Sequence, residues 1–217
     1  MRLWMPTAIK RPVSYAATLP ARELYKAIEM HTNGSAGDPF NWFNSPANTQ
    51  HLCSHFQVEA DGRKYQYLPL NVQAFAEFKA NLFAVSIETA DGGHPERRWT
   101  VPQIASIVEI IEFVGAPGVL LADKPSNGIG WHSQYPDDNQ NGHDCPGAVR
   151  VAQIHSTLIP QVRADAFNWR STKRLLVADG VALQLPGHAN KPPFGVDVTN
   201  PKKGAAFVAL ITQLRNI

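Results

Sequence analysis

Cysteine is nearly absent from this chain: Cys53 and Cys145 are the two among 217 residues. Two thiols are too few for a disulfide framework, and both read as reduced. No apolar run approaches the length of a membrane span, and the opening MRLWMPTAIKRPV holds no stretch long enough for a signal-peptide core. The expectation is a chain made in the cytoplasm without an export signal and without membrane insertion. An excess of one charge is lacking too. Twenty Lys and Arg stand against 18 Asp and Glu, for a net +2, and Lys202-Lys203 is the nearest thing to a basic block. So mild a balance argues against a nucleic-acid partner. No internal repeat or low-complexity tract appears. The 44% apolar fraction is enough for one sizeable core.

What is present is periodic pattern. Residues 25–31 (YKAIEMH) read as a short strand that runs into a Gly-Ser-Ala-Gly loop. HFQVEA and RKYQYLPL flank Asp61-Gly62, a strong hairpin signal. Residues 82–88 (LFAVSIE) alternate, with Phe83, Val85 and Ile87 on one face and Leu82, Ala84, Ser86 and Glu88 on the other. Glu88 therefore ends a strand otherwise lined by small or apolar side chains. Thr100 and Gln103 make a capping box, Pro102 suits a first turn, and Ile104, Ile107, Val108 and Ile111 recur at helical spacing before Gly115. GVLLAD (118–123) has strand length; Val151, Ile154, Leu158 and Val162 mark a second helical face, with Pro160 as a kink or stop. Strands alternating with helices predict an α/β fold, a central mixed sheet flanked by helices. The pattern weakens beyond about residue 165. This predicts a main domain over 1–165 and a C-terminal extension over 166–217, packed on the same domain, to which the sequence assigns no function. Within it RLLVADGVALQL reads as a hairpin about Asp179-Gly180, and the last dozen residues as a helix.

The pattern breaks at GWHSQYPDDNQNGHDCPG, residues 130–147, which has no apolar periodicity. A loop so polar, holding His132, His143, Asp144 and Cys145, points to chemistry. Catalytic zinc takes three protein ligands, favours His and Cys, and keeps a fourth position for water. His31 ends the first strand, His132 follows Gly130-Trp131, and Cys145 lies on the loop beyond. That arrangement lets two imidazoles and a thiolate meet at one rim of the sheet, with Glu88 delivered there to move a proton.

HTNG after a strand, the SHFQVEADGRKYQ hairpin, SIE at a strand end, WHS and then HDCPG occur in this order. The ordered set resembles the type-2 N-acetylmuramoyl-L-alanine amidases, zinc enzymes related to the peptidoglycan-recognition proteins. The likeness spans roughly residues 31–159. The long WHS-to-CPG loop is most similar to that of endolysins from phages of actinobacteria. The resemblance implies His31, His132 and Cys145 as zinc ligands and Glu88 as the general base. It implies hydrolysis, by a zinc-activated water, of the amide between N-acetylmuramic acid and L-alanine of the stem peptide. Peptidoglycan is then the partner, a monomer the expected state, and the cell wall the place of action after synthesis in a host cytoplasm. Asn33, Trp131 and His55 are candidate substrate contacts.

Two positions depart from the family pattern. Ser54 stands where one branch has a catalytic tyrosine, and His143 stands where many members have lysine or threonine to steady the oxyanion. His143 is read as that stabiliser, with an alternative ligand or a loop histidine as competing readings. Asp144 competes with Cys145 as the third ligand. Trp42, Phe43 and Trp131 make a candidate stacking wall, against the commoner fate of aromatics in a core. Two other functions compete: a non-catalytic peptidoglycan-binding module of the same fold, and a cysteine peptidase using Cys53 with His132. The second is weak, because Cys53 precedes a hairpin strand and does not open a helix that would lower its pKa.

Overall fold

The computed structural model describes residues 2–24, 26–35, 37–116, 127–134, 142 and 144–164. The GVLLAD run, His143 and the extension from 166 to 217 lie outside the described residues, as do the hairpin and helix expected within that extension.

The described strands are β1 (Ile9–Lys10), β2 (Ala27–Met30), β3 (Phe56–Val58), β4 (Lys64–Gln66), β5 (Ala84–Thr89) and β6 (Gly128–Trp131). They form one sheet in the order β1-β4-β3-β5-β2-β6. The β3–β4 pair is antiparallel and the other pairs are parallel, so the sheet is mixed. The described helices include α1 (Phe40–Phe43), α2 (Val101–Val114) and α3 (Ala148–Gln153). The α/β architecture expected from the alternation is the one observed.

Strand alternation sorts the side chains. Ile28 and Met30 of β2, Val85 and Ile87 of β5, Phe56 and Val58 of β3 and Ile129 of β6 are fully buried in one cluster with Ile104, Ile107, Ile110 and Ile111 of α2. The α2 helix is shaped by its ends. The Thr100 hydroxyl accepts from the Gln103 amide, the Gln103 side chain accepts from the Thr100 amide, and Gly115 closes the helix in the left-handed region. Beyond α3, a π-helical segment (Ile154–Leu158) precedes helical residues 159–164. Pro160 thus sits inside a continuing helix and does not stop it. The wider π turn lies where proline's missing N–H and ring would break regular i→i−4 bonding. Ile154, Leu158, Ile159 and Val162 pack into the same core.

Two details differ from the expected strands. The hairpin turn is not a two-residue Asp-Gly loop: Glu59 N–H bonds to Arg63 O, and Gly62 N–H to Glu59 O, enclosing Ala60, Asp61 and Gly62. Gly62 has φ +87°, and a Cβ there would lie 2.9 Å from Pro102 O, so the turn is seated against the start of α2. Phe83 is also not on the face of Val85 and Ile87. It follows a 3-10 turn (Lys79–Leu82) and packs with Ala27, Ala80 and Ala84 on the opposite side.

Candidate metal centre

The face of the sheet turned away from α2 is polar. By alternation it carries Glu29 and His31 from β2 and the residue after it, His55 and Gln57 from β3 and the residue before it, and Ser86 and Glu88 from β5. The register Glu29↔Ser86 and Gln57↔Glu88 aligns these in rows across the strands. Past the end of β2 the ladder continues, His31 N–H to Ile87 O at 2.9 Å and Asn33 N–H to Thr89 O at 3.1 Å. His31 therefore stands beside Glu88 at the strand ends. On its other side β6 pairs Met30 with Trp131, which brings the following residue, His132, next to His31. Their rings lie 4.9 Å apart, centroid to centroid.

Cys145 completes the group. Its carbonyl accepts from Ser133 N–H at 2.9 Å, tying its loop to the residue after His132. Its sulfur accepts from Thr32 N–H at 3.3 Å and lies 4.0 Å from His31 Nδ1. The loop turns at Gly147, where φ is +94° and a Cβ would meet Pro95 O at 3.1 Å. Arg150 of α3 pins this loop from beneath. It is 1% exposed, and its Nη1 donates to Pro146 O (3.2 Å) and Pro95 O (3.3 Å). The same guanidinium reaches Thr32 Oγ1 at 3.5 Å and His94 O at 3.4 Å and pairs with buried Asp91 at 3.8 Å. Asp91 in turn accepts from the Thr32 hydroxyl at 2.7 Å. Three chain segments, after β2, after β5 and before α3, are thereby held against one another.

Donor chemistry and spacing fit zinc. One ligand atom from each of His31, His132 and Cys145 lies within 4.8 Å of the others. Donors about 2.0–2.3 Å from a common tetrahedral centre are spaced in this manner, with the fourth position left for water. Asp144 is exposed and lies outside this group, so Cys145 is the donor the fold presents. Burial pushes the Cys145 thiol up, and Glu88 adds to the rise; burial, then His132, lowers His31. Glu88 is raised to about 8, by burial first and the Asp91 carboxylate second.

The other expected residues separate. His55 is wholly buried, its Nε2 2.8 Å from Val72 O and its Nδ1 3.1 Å from Ser86 N. With both nitrogens satisfied it has no atom to offer a substrate, which corrects its expected role. Trp131 is corrected for a different reason. Neighbours on a strand point to opposite faces, so with His132 toward the metal group Trp131 packs on the helix side, against the main core and edge-on to His155 at 5.5 Å. Phe43 is buried in a separate cluster with Tyr67 and Leu68, while Trp42 is half exposed, so the stacking wall does not form. Asn33 is half-buried and shapes its own loop, donating to Gly37 O at 2.9 Å and accepting from Ser35 N–H at 3.0 Å. Cys53 is a core residue beside Tyr15, its thiol pushed up by burial, which leaves the cysteine-peptidase reading without a nucleophile. Sequence reasoning missed Glu29, Glu77, Asp91 and Arg150. Only Glu29 carried a signal, in step with His31 between apolar Ile28 and Met30.

No protein-family model matches the chain, and no curated protein does. Solved structures do. An N-acetylmuramoyl-L-alanine amidase, LysC, from Clostridium intestinale URNW aligns with a TM-score of 0.55 at 17% identity, covering 71% of this chain and 98% of that one. An AmpD structure aligns at 0.53 with 16% identity over 72% and 97% of the two chains. The endolysin amidase LysCS, also from Clostridium intestinale URNW, aligns at 0.51 with 18% identity over 72% and 97%. At these identities the likeness establishes a shared fold, and the chain spans nearly the whole of each of these structures. Among the described residues no helix is long and apolar enough to cross a membrane.

Proposed function

We propose that the chain is a zinc-dependent N-acetylmuramoyl-L-alanine amidase that cuts the bond between N-acetylmuramic acid and L-alanine of the peptidoglycan stem peptide. The observation that carries this reading is the convergence of His31, His132 and Cys145 at the sheet rim with Glu88 on the adjoining strand end. The naming of the structural neighbours LysC and LysCS as amidases supports the bond assignment. Zinc, when bound, would polarise the scissile carbonyl and activate a water. Glu88 accepts the proton of the attacking water and hands it to the leaving amine. The Arg150–Asp91–Thr32 network keeps the Cys145 loop closed on His31, so the donors need little rearrangement. His143, in the same loop, steadies the developing oxyanion.

In this reading residues 1–165 are the catalytic domain and 166–217 a C-terminal extension. The protein is a monomeric phage lysin, of the kind made by phages of actinobacteria. It is synthesised in the host cytoplasm and acts at the wall. Incubation of purified protein with peptidoglycan should release new L-alanine amino termini, and EDTA should abolish the release. New reducing sugar ends or cut cross-links alone would overturn the bond assignment. A protein that binds peptidoglycan and zinc but releases nothing would be a binding module.

A further inference from the structure

Beside His31 the structure buries two further carboxyl side chains. Glu77, on the segment before β5, and Glu29, in the middle of β2, are both buried; the Glu77 side chain is 2% exposed. One Glu77 oxygen lies 3.9 Å from His31 Nε2. That nitrogen and both Glu77 oxygens are shielded from solvent and make no hydrogen bond. Glu29, His31 and Glu77 have donor atoms within 4.8 Å of one another. Buried polar atoms without hydrogen-bond partners cost on the order of 1–3 kcal/mol each, so the retention of His31 Nε2 and the Glu77 carboxylate in this state calls for a cause.

We infer that Glu77, backed by Glu29, is the positioning residue of His31: its carboxylate accepts a hydrogen bond from the Nε2–H and thereby fixes which ring nitrogen faces the metal. The inference rests on the zinc reading above. The nitrogen of His31 nearest Cys145 is Nδ1. A neutral imidazole that gives its Nδ1 lone pair to a metal must carry its proton on Nε2. That N–H points into a dry interior where Glu77 is the acceptor at hand. Ligand histidines commonly pass their second N–H to a carboxylate, which locks the ring and strengthens its donation. On β6 the partner of Glu29 is Gly130, which carries no side chain. Cys145 is held by the Thr32 amide, so the two donors from distant segments each have a supporting contact.

The test uses the full chain and zinc itself. Zinc affinity is measured by competition with a chromophoric chelator for wild type, Glu77→Gln and Glu77→Leu. Metal-free thermal unfolding is recorded for each, and the His31 ring N–H is followed by NMR in the zinc-loaded proteins. Glu77→Leu should weaken zinc binding about 10- to 100-fold and abolish the hydrogen-bonded Nε2 proton signal, while the metal-free protein melts no lower than wild type. Glu77→Gln, whose amide oxygen still accepts, should lose less affinity and keep the proton signal. Affinities within twofold of wild type for both variants would overturn the inference and leave the zinc reading intact. So would two zinc ions per wild-type chain with the second lost in Glu77→Gln, because the carboxylates would then be metal ligands. A wild type that binds no zinc would overturn both.

Discussion

The two faces of the central sheet come from the same strands and are built to opposite rules. Toward α2, Ile28, Met30, Phe56, Val58, Val85, Ile87 and Ile129 pack against isoleucines, and burial of apolar surface is the whole of their contribution. One residue along each strand, the chain buries Glu29, His31, His55, Gln57 and Ser86 instead. Charged and polar groups removed from water cost free energy unless each finds a partner. His55 and Ser86 find theirs in each other and in Val72. Glu77 and His31 Nε2 are left as a near pair at 3.9 Å, with no hydrogen bond to either Glu77 oxygen or to that nitrogen. The difference teaches how the two faces divide the work: the helix side holds the fold by apolar burial, and the polar side gathers His31, His132 and Cys145 at a cost in buried polar groups.

If that division is right, substitutions on the two faces should fail in different ways. The largest effect belongs to the donors. His31→Ala or Cys145→Ala should take zinc from one ion per chain to none and bring amidase activity below detection, while the far-UV circular dichroism stays that of the wild type. Metal analysis beside the product assay decides this, and a Cys145→Ala protein that kept stoichiometric zinc would remove Cys145 from the centre. Glu88→Gln comes next. It should retain zinc and lower kcat about 10²- to 10⁴-fold with a small change in KM, as expected for loss of a general base. On the opposite face Ile107→Ala or Ile110→Ala, both fully buried, should cost about 2–5 kcal/mol in denaturant unfolding. The folded fraction of these variants should still bind one zinc, because neither side chain touches the polar side.

The sequence made the two faces unequally legible. Apolar periodicity located α2, β2, β3 and β5, since a helix or strand burying one face must repeat every 3.6 or 2 residues. Donor type then singled out His31, Glu88, His132 and Cys145 at strand ends and on the loop. The strand that delivers His132 could not be read, because GIGW is half glycine and glycine marks no strand. In the structure Gly128 and Gly130 pair with Ala27 and Glu29, on the polar face of the sheet. Trp131 reads from the sequence as a candidate stacking residue for substrate, yet adjacent strand residues diverge, and it packs against the core while His132 faces the other side. Glu77, Asp91 and Arg150 gave no local sign at all. Their partners lie 46, 59 and 118 positions away, as for Glu77 with His31, Asp91 with Thr32 and Arg150 with Thr32, and only the folded topology brings them together.

The smallest effect concerns pH, and it separates structural from chemical histidines on the polar face. Nδ1 of His55 faces the Ser86 backbone N–H, which can only donate, so Nδ1 must be unprotonated and Nε2 donates to Val72 O. A second proton would sit against the Ser86 N–H in a site closed to water. Burial first, and the Arg22 charge second, accordingly lower the His55 pKa to about 3 from its ordinary 6.5. The folded state then binds fewer protons than the unfolded chain. The stability tied to this group is full above pH 6.5 and is lost as pH falls from 6.5 toward 3. Between pH 6.5 and 5 the loss should be about 2 kcal/mol. Urea unfolding of the metal-free protein at a series of pH values should show this slope, and His55→Gln, less stable at neutral pH, should flatten it. An unchanged slope in His55→Gln would assign the acid sensitivity to other groups and leave His55 a spectator in its own bonds.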